Sequence, residues 1–302
     1  MNEINNSFVS IAIPAYKKQY LKDAIDSVLA QSHSNFELII VNDRSPENLD
    51  EIVNQYNDTR IRYYKNAINL GKKSIVHNWN KCLSYAKGEY FVLLCDDDIM
   101  HPQFLSSMLS LAKENPTCNV FKTRTIIYNQ IEKKIIGESS QWPKYETYED
   151  FLYNTIKGNR KHTISEFLYR TVHIKKYNGY IPYPVGYYAD DHSILFFAKE
   201  GGIATTNECL ITFRKSEENI STNNKYNKGK VYAAILFYNW LSKQTKDQEH
   251  QSLIKNRLDF DLYHYIKSIS NKLYAANTIL SIPNKIWNLK KKIAIFKNII
   301  NE

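Results

Sequence analysis

The sequence predicts an α/β fold: a doubly wound, mostly parallel sheet flanked by helices, followed by a helical C-terminal appendage. Three observations carry that prediction. Short apolar, β-branched runs alternate with segments of helical period through the first hundred residues. Those runs end on Pro, Asn or Asp, the residue types that close strands. The formal net charge of +9 also sits wholly in the last quarter, because residues 225–302 hold 14 basic and 5 acidic residues while residues 1–224 balance at 26 of each. A neutral body over 1–224 and a basic helical region over 225–302 follow from that asymmetry.

The elements follow in order. FVSIAI (8–13) is a strand stopped by Pro14, and residues 20–31 place Leu21, Ile25, Val28 and Leu29 on one helical face. FELIIV (36–41) is a second strand, closed by Asn42-Asp43. In SPENLDEIVNQY, Ser45 reads as a cap and Pro46 as the first helical residue, so a helix is expected to start there. IRYY (61–64) is a third strand, residues 74–86 a helix stopped by Gly88, and EYFVLLC (89–95) a fourth strand. Further on, VFKTRTIIY and CLITFR (209–214) read as strands and HSILFFAKEGG as a helix beginning at Asp190-Asp191. From Lys225 the pattern predicts two or three helices.

Composition narrows the function classes. With 43% apolar and 24% charged residues the chain is globular, and no apolar run reaches the ~18 residues that a membrane span needs. MNEINNSFVSIAIP lacks the basic flank and long apolar core of a signal peptide. The four cysteines are scattered, with no CxxC pair, so neither a disulfide framework nor a zinc ribbon is expected and a cytoplasmic setting fits.

Three adjacent carboxylates, Asp96, Asp97 and Asp98, close the fourth strand. Like charges that close repel, and an oxygen-loving cation, Mn2+ or Mg2+, is the simplest compensation. A solvated turn that caps a helix competes with this reading, but a cap needs only one carboxylate. Open sheets bind ligands beyond the carboxyl ends of their strands, where Pro14-Ala15-Tyr16, Asp43 and Asp96–Asp98 all fall. Tyr16 offers a flat face for a nucleobase, and an aspartate can accept a ring N–H. Asp190-Asp191 forms a second acidic pair that can cap a helix, serve as a general base, or do both.

VSIAIPAYKKQYLKDAIDSVLAQSHSNFELIIVNDRS, followed by NLG, NWN and AKGEYFVLLCDDD, resembles the nucleotide-sugar glycosyltransferases of family 2, which have the GT-A fold. The resemblance is dense over residues 8–115 and thinner over 190–221. It implies inverting transfer of a sugar from a nucleoside diphosphate donor, a UDP-sugar foremost, to a glycan or lipid-linked acceptor in surface polysaccharide synthesis. It also implies a nucleotide-binding half (about 1–115) and an acceptor-binding half (about 116–224). Pro14, Ala15, Tyr16, Asp43 and Asp96 match nucleotide-contacting positions, and Asp96–Asp98 the metal-binding cluster, with Asp97 foremost. Asp191 matches the base and Asp190 its companion. Two departures stand out: Cys95 replaces the first aspartate of the usual Asp-x-Asp-Asp, and Ser216 replaces a histidine that in the family helps bind the metal or diphosphate, which leaves that role either unfilled or passed to Arg214 and Lys215.

Three other classes fit the sequence less well. A sugar-phosphate nucleotidyltransferase wants a glycine-rich N-terminal loop, which AIPAYKKQ lacks. An aspartyl-nucleophile phosphatase fits poorly with Ile99 after three aspartates. A nucleic-acid-binding protein would spread its basic residues over one folded face, so no nucleic-acid partner is expected. In IPNKIWNLKKKIAIFKNIINE (282–302), Ile286, Leu289, Ile293, Phe296 and Ile300 share a helical face flanked by lysines, with Trp287 beside it. This stripe either packs on the fold or meets an anionic membrane surface, and the concentration of charge favours the membrane.

Overall fold

The computed structural model describes residues 6–301, with side chains to residue 299. Two compact units divide the chain. One comprises the residues up to Pro182 together with Ala189–Ser216, and the other Tyr183–Tyr188 with the chain from Glu217 onward.

The first unit is built on one sheet. β1 (Val9–Ala15), α1 (Leu21–Leu29), β2 (Phe36–Asn42), α2 (Asp50–Val53), β3 (Ile61–Lys65), α3 (Val76–Tyr85) and β4 (Tyr90–Leu93) give the alternation read from the sequence. The order β3-β2-β1-β4 is parallel throughout. After β4 come β5 (Ile99–Met100), α4 (Phe104–Glu114), β6 (Val120–Asn129), β7 (Lys134–Glu138), β8 (Tyr145–Glu146), α5 (Tyr148–Lys157), β9 (Phe167–Arg170), α6 (Thr171–Lys176), α7 (Ala189–Phe197) and β10 (Ile203–Lys215). They continue the sheet as β9-β6-β10-β5, where β9 runs antiparallel to both neighbours and β10 parallel to β6. Both faces of the central strands are covered. Val9, Ile11, Ala12 and Ile13 of β1 have no exposed surface, and neither do Leu21, Ala24, Ile25 and Val28 of α1. Such burial contributes about 1.5–3 kcal/mol per large aliphatic side chain, which is why a two-sided apolar strand stays central.

One expected helix is much shorter than its signal. Ser45 does not cap a helix: its amide donates to Asn42 Oδ1 (2.9 Å) and its hydroxyl to the Tyr16 carbonyl (2.5 Å), while the Glu47 amide donates to Ser45 Oγ (3.1 Å). Those bonds make a turn that ties the β2 end to the β1 end, and α2 is left with a single turn over Asp50–Val53.

The second unit holds α8 (Asn227–Leu241), α9 (Gln248–Lys267), α10 (Lys272–Ser281) and α11 (Leu289–Asn301), four helices among the described residues where two or three were expected. The sequence misplaces the inward face of the last one. Trp287 is fully buried, its Nε1 donating to Asp259 Oδ1 at 2.7 Å, and Lys292, Ile295 and Ile299 are buried. Leu289 and Ile293 point outward while Ile286 and Phe296 are half-buried, so no described residue of the expected stripe faces fully inward; the side chain of Ile300 lies outside the described residues. The tryptophan's large area, with a partner for its N–H, sets the rotation of the segment.

Candidate active site

Strand register brings the first cluster together. Ala12 of β1 pairs with Leu93 of β4 in a parallel ladder, so three residues further on Ala15 lies level with Asp96. The amides of Tyr16 and Lys17 both donate to Asp96 Oδ2, at 2.7 and 2.8 Å. The Lys17 ammonium bonds Asp97 and lies 3.7 Å from Asp96 Oδ1, so two adjacent carboxylates face one cationic position. Burial alone would lower the Lys17 pKa, yet Asp96 and Asp97 together hold it above its ordinary value. Burial likewise pushes the Asp96 carboxyl up to about 6 against the pull of Lys17.

Asp98 is held from two other strands. β5 pairs with β10 through Met100–Ile211 and Ile99–Thr212, which brings the Arg214 amide to Asp98 Oδ1 at 3.3 Å. β4 pairs with β9 through Val92–Leu168, and continuing that register sets Ser165 opposite Cys95. The Cys95 amide donates to Ser165 Oγ (3.1 Å), and Ser165 Oγ donates to Asp98 Oδ2 (2.6 Å). Burial first, and the Asp97 charge second, push Asp98 up to about 8. The Arg214 guanidinium bonds the Asp97 carbonyl, Gln130 and Asp23, and lies over the Tyr20 ring. It braces the acidic turn from behind.

Asp43, at the end of β2, is 4% exposed. Its Oδ1 accepts from Asn66 Nδ2 (2.7 Å) and the Leu70 amide (2.8 Å), and its Oδ2 accepts from the Gly71 amide (2.7 Å). A Cβ at position 71 would stand 2.8 Å from that oxygen, which is why the Asn-Leu-Gly loop needs its glycine. Three acceptor positions are used, and a carboxylate has about four. The Tyr16 ring, 42% exposed, flanks the same strand ends.

The second acidic pair starts α7. Asp190 Oδ1 accepts the Asp191 amide at 3.1 Å, and burial pushes the Asp190 carboxyl up to about 6. His162 Nε2 lies 3.9 Å from Asp191 Oδ1. The His162 side chain is 2% exposed, set edge-on to Trp142 and Phe167, and neither ring nitrogen has a hydrogen-bond partner among the described residues. Burial, with the nearby Lys122 charge, pushes it down to about 3, so the ring is neutral. A capping box between Thr163 and Glu166 fixes this segment, and a fully buried Lys122–Glu166 ion pair (2.7 Å) anchors it. The same short stretch therefore touches Asp98 through Ser165 and Asp191 through His162.

Pro14, Ala15, Tyr16, Asp43 and Asp96–Asp98 thus converge at the strand ends, with Arg214 reaching the group through the acidic turn. Sequence reasoning missed Lys17, Ser165 and His162. Thr163-x-x-Glu166 is a legible capping box that would have flagged the segment. Trp142 is 2% exposed, and both the Lys122 ammonium and the Arg160 guanidinium lie against its ring.

The profile of the family described as "Glycosyl transferase family 2" matches residues 10–173. An Escherichia coli (strain K12) glycosyl transferase named for colanic acid biosynthesis is 41% identical over 109 residues, 35% of this chain and 38% of that protein. The chain thus spans well under half the length of that relative. A Bacillus subtilis (strain 168) glycosyltransferase named for teichuronic acid biosynthesis is 28% identical over 71% of this chain and 82% of its own length. Among solved structures, S. aureus TarS 1–349 in complex with UDP-GlcNAc covers 98% of this chain and 90% of its own at a TM-score of 0.59 and 14% identity. A Pyrobaculum calidifontis mannosyltransferase in complex with GDP-Man and Mn2+ gives 0.59 at 13% identity, over 98% and 86%. At those identities the two structures speak to the fold.

Proposed function

This chain belongs to glycosyl transferase family 2, and from that premise we propose that it transfers a sugar from a nucleoside diphosphate donor, a UDP-sugar foremost, to an acceptor hydroxyl with inversion. The product is a bacterial surface polysaccharide, and the acceptor a glycan or lipid-linked glycan. The observation that carries this reading is the convergence of Tyr16, Asp43 and the Asp96–Asp98 turn at three adjacent strand ends. The relatives named for colanic and teichuronic acid biosynthesis, and the UDP-GlcNAc bound by TarS, support it.

The residues take distinct parts. Asp43, with an acceptor position to spare, receives the ring N–H of the base, and Tyr16 lies against its face. Asp96 and Asp97 would hold a Mn2+ or Mg2+ ion, and their all-oxygen donors, already gathered on one cation, fit such a metal. When bound, the ion neutralises the leaving diphosphate. Asp98 and Arg214 fix the geometry of the turn. Asp191, at the start of α7, takes the proton from the acceptor hydroxyl, and the buried Asp190 holds the helix start.

Nucleotide binding tests the reading. UDP should raise the melting temperature more with Mn2+ than with chelator, and Asp97→Asn should remove that difference. Equal UDP affinity in Mn2+ and in chelator would overturn the metal assignment.

A further inference from the structure

We propose that His162, Asp190 and Asp191 form a second cation site, apart from the acidic turn, that takes a borderline divalent ion of the Zn2+ or Co2+ class. One ligand atom from each residue lies within 4.8 Å of the other two, and His162 Nε2 stands 3.9 Å from Asp191 Oδ1. A tetrahedral ion with bonds of about 2.0–2.1 Å sets its ligand atoms about 3.3 Å apart, so the site closes by small side-chain rotations. An acidic pair at a helix start would not carry this inference by itself. The imidazole does: its side chain is 2% exposed, and neither nitrogen has a hydrogen-bond partner among the described residues, which is costly for a buried polar ring. Nε2 of the neutral ring lies on the side of the Asp191 carboxylate and can offer its lone pair there in the tautomer protonated at Nδ1.

The surroundings suit a divalent charge. Lys122 is the nearby cation, and its charge is offset by the Glu166 carboxylate 2.7 Å away. Asp190 and Asp191 remain as net negative groups. Imidazole with carboxylate selects Zn2+ or Co2+ over Mg2+, whereas the oxygen-only turn at Asp96–Asp98 has the opposite preference. Asp191 solvates such an ion with the same lone pairs it would offer an acceptor hydroxyl. Zn2+ at this site therefore blocks transfer, a consequence that rests on the function proposed above.

Cobalt titration tests the site without nucleotide or acceptor, so its outcome is independent of whether the chain transfers sugar. Co2+ added to the full chain should give one equivalent of bound ion with the visible absorption of a low-coordinate N/O site. His162→Phe keeps the ring volume in its aromatic surroundings and removes both nitrogens. Asp191→Asn removes a ligand without touching those surroundings, should the first variant fail to fold. Each should weaken Co2+ binding beyond the ~10–100-fold that loss of a supporting contact costs, while Asp97→Asn should leave the absorption intact. A signal that persists in the folded His162→Phe or Asp191→Asn variant, or that vanishes in Asp97→Asn, would overturn the proposal.

Discussion

Asp98 shows how one residue links the turn's chemistry to its stability. Its carboxyl, ordinarily near 3.9, is pushed up to about 8 by burial and by Asp97. Between those values the folded chain keeps a proton that the unfolded chain has released. Stability therefore falls as pH rises from about 4 to about 8, and the penalty is absent below that window. Asp98→Asn has no such proton to lose and keeps an oxygen that can accept from Ser165 or Arg214. In chelator it should melt above the wild type at and above about pH 8, with the gap closing as pH falls towards 4. A gap that ignores pH would remove burial as its cause. Asp191 separates capping from catalysis in a similar way. Asparagine caps a helix about as well as aspartate but cannot act as a base. Asp191→Asn should thus keep UDP binding while the chemical step falls on the order of 10²–10⁴-fold, and normal turnover would reduce Asp191 to a structural residue.

At the scale of elements, α11 is where the reading of a surface changes most. Removing the segment from Pro283 would take out Trp287, whose loss from a packed site costs about 3–5 kcal/mol, so truncation tests folding as much as binding. The outward residues make a cleaner test. Leu289 and Ile293 are 62% and 48% exposed on one side of the helix, and Lys290 and Lys297 are exposed with them. If this face meets an anionic membrane, the full chain should sediment with anionic vesicles and be released by salt. Leu289→Ser/Ile293→Ser should abolish sedimentation without shifting the melting temperature. Binding that survives the double change would move the contact elsewhere, and no sedimentation at low salt would exclude the membrane role.

For the whole molecule, the parallel half of the sheet was legible because its strands are apolar on both faces and end in turn residues. β9 was not legible. Phe167–Arg170 is four residues long and runs antiparallel between β4 and β6, so its place depends on partners 45 or more residues away in sequence. No helix among the described residues is long and apolar enough to cross a membrane. Residues 225–302 carry the charge excess, and lysines such as Lys290 and Lys297 are exposed there.

The sequence by itself determined the strand–helix alternation, the strand ends that carry Tyr16, Asp43 and Asp96–Asp98, and the separation of a neutral body from a basic helical region. These are local properties, set by side-chain period, turn chemistry and charge. Only the tertiary structure decided that Lys17 faces Asp96 and Asp97, that Ser165 and Arg214 hold Asp98, and that His162 stands against Asp191. Each of those contacts joins residues dozens of positions apart or more, except His162 and Asp191, which are brought together by the β9 pairing and the start of α7. Register between neighbouring strands, not sequence spacing, sets such distances, because a one-residue slip of a strand turns that strand's side chains to the other face.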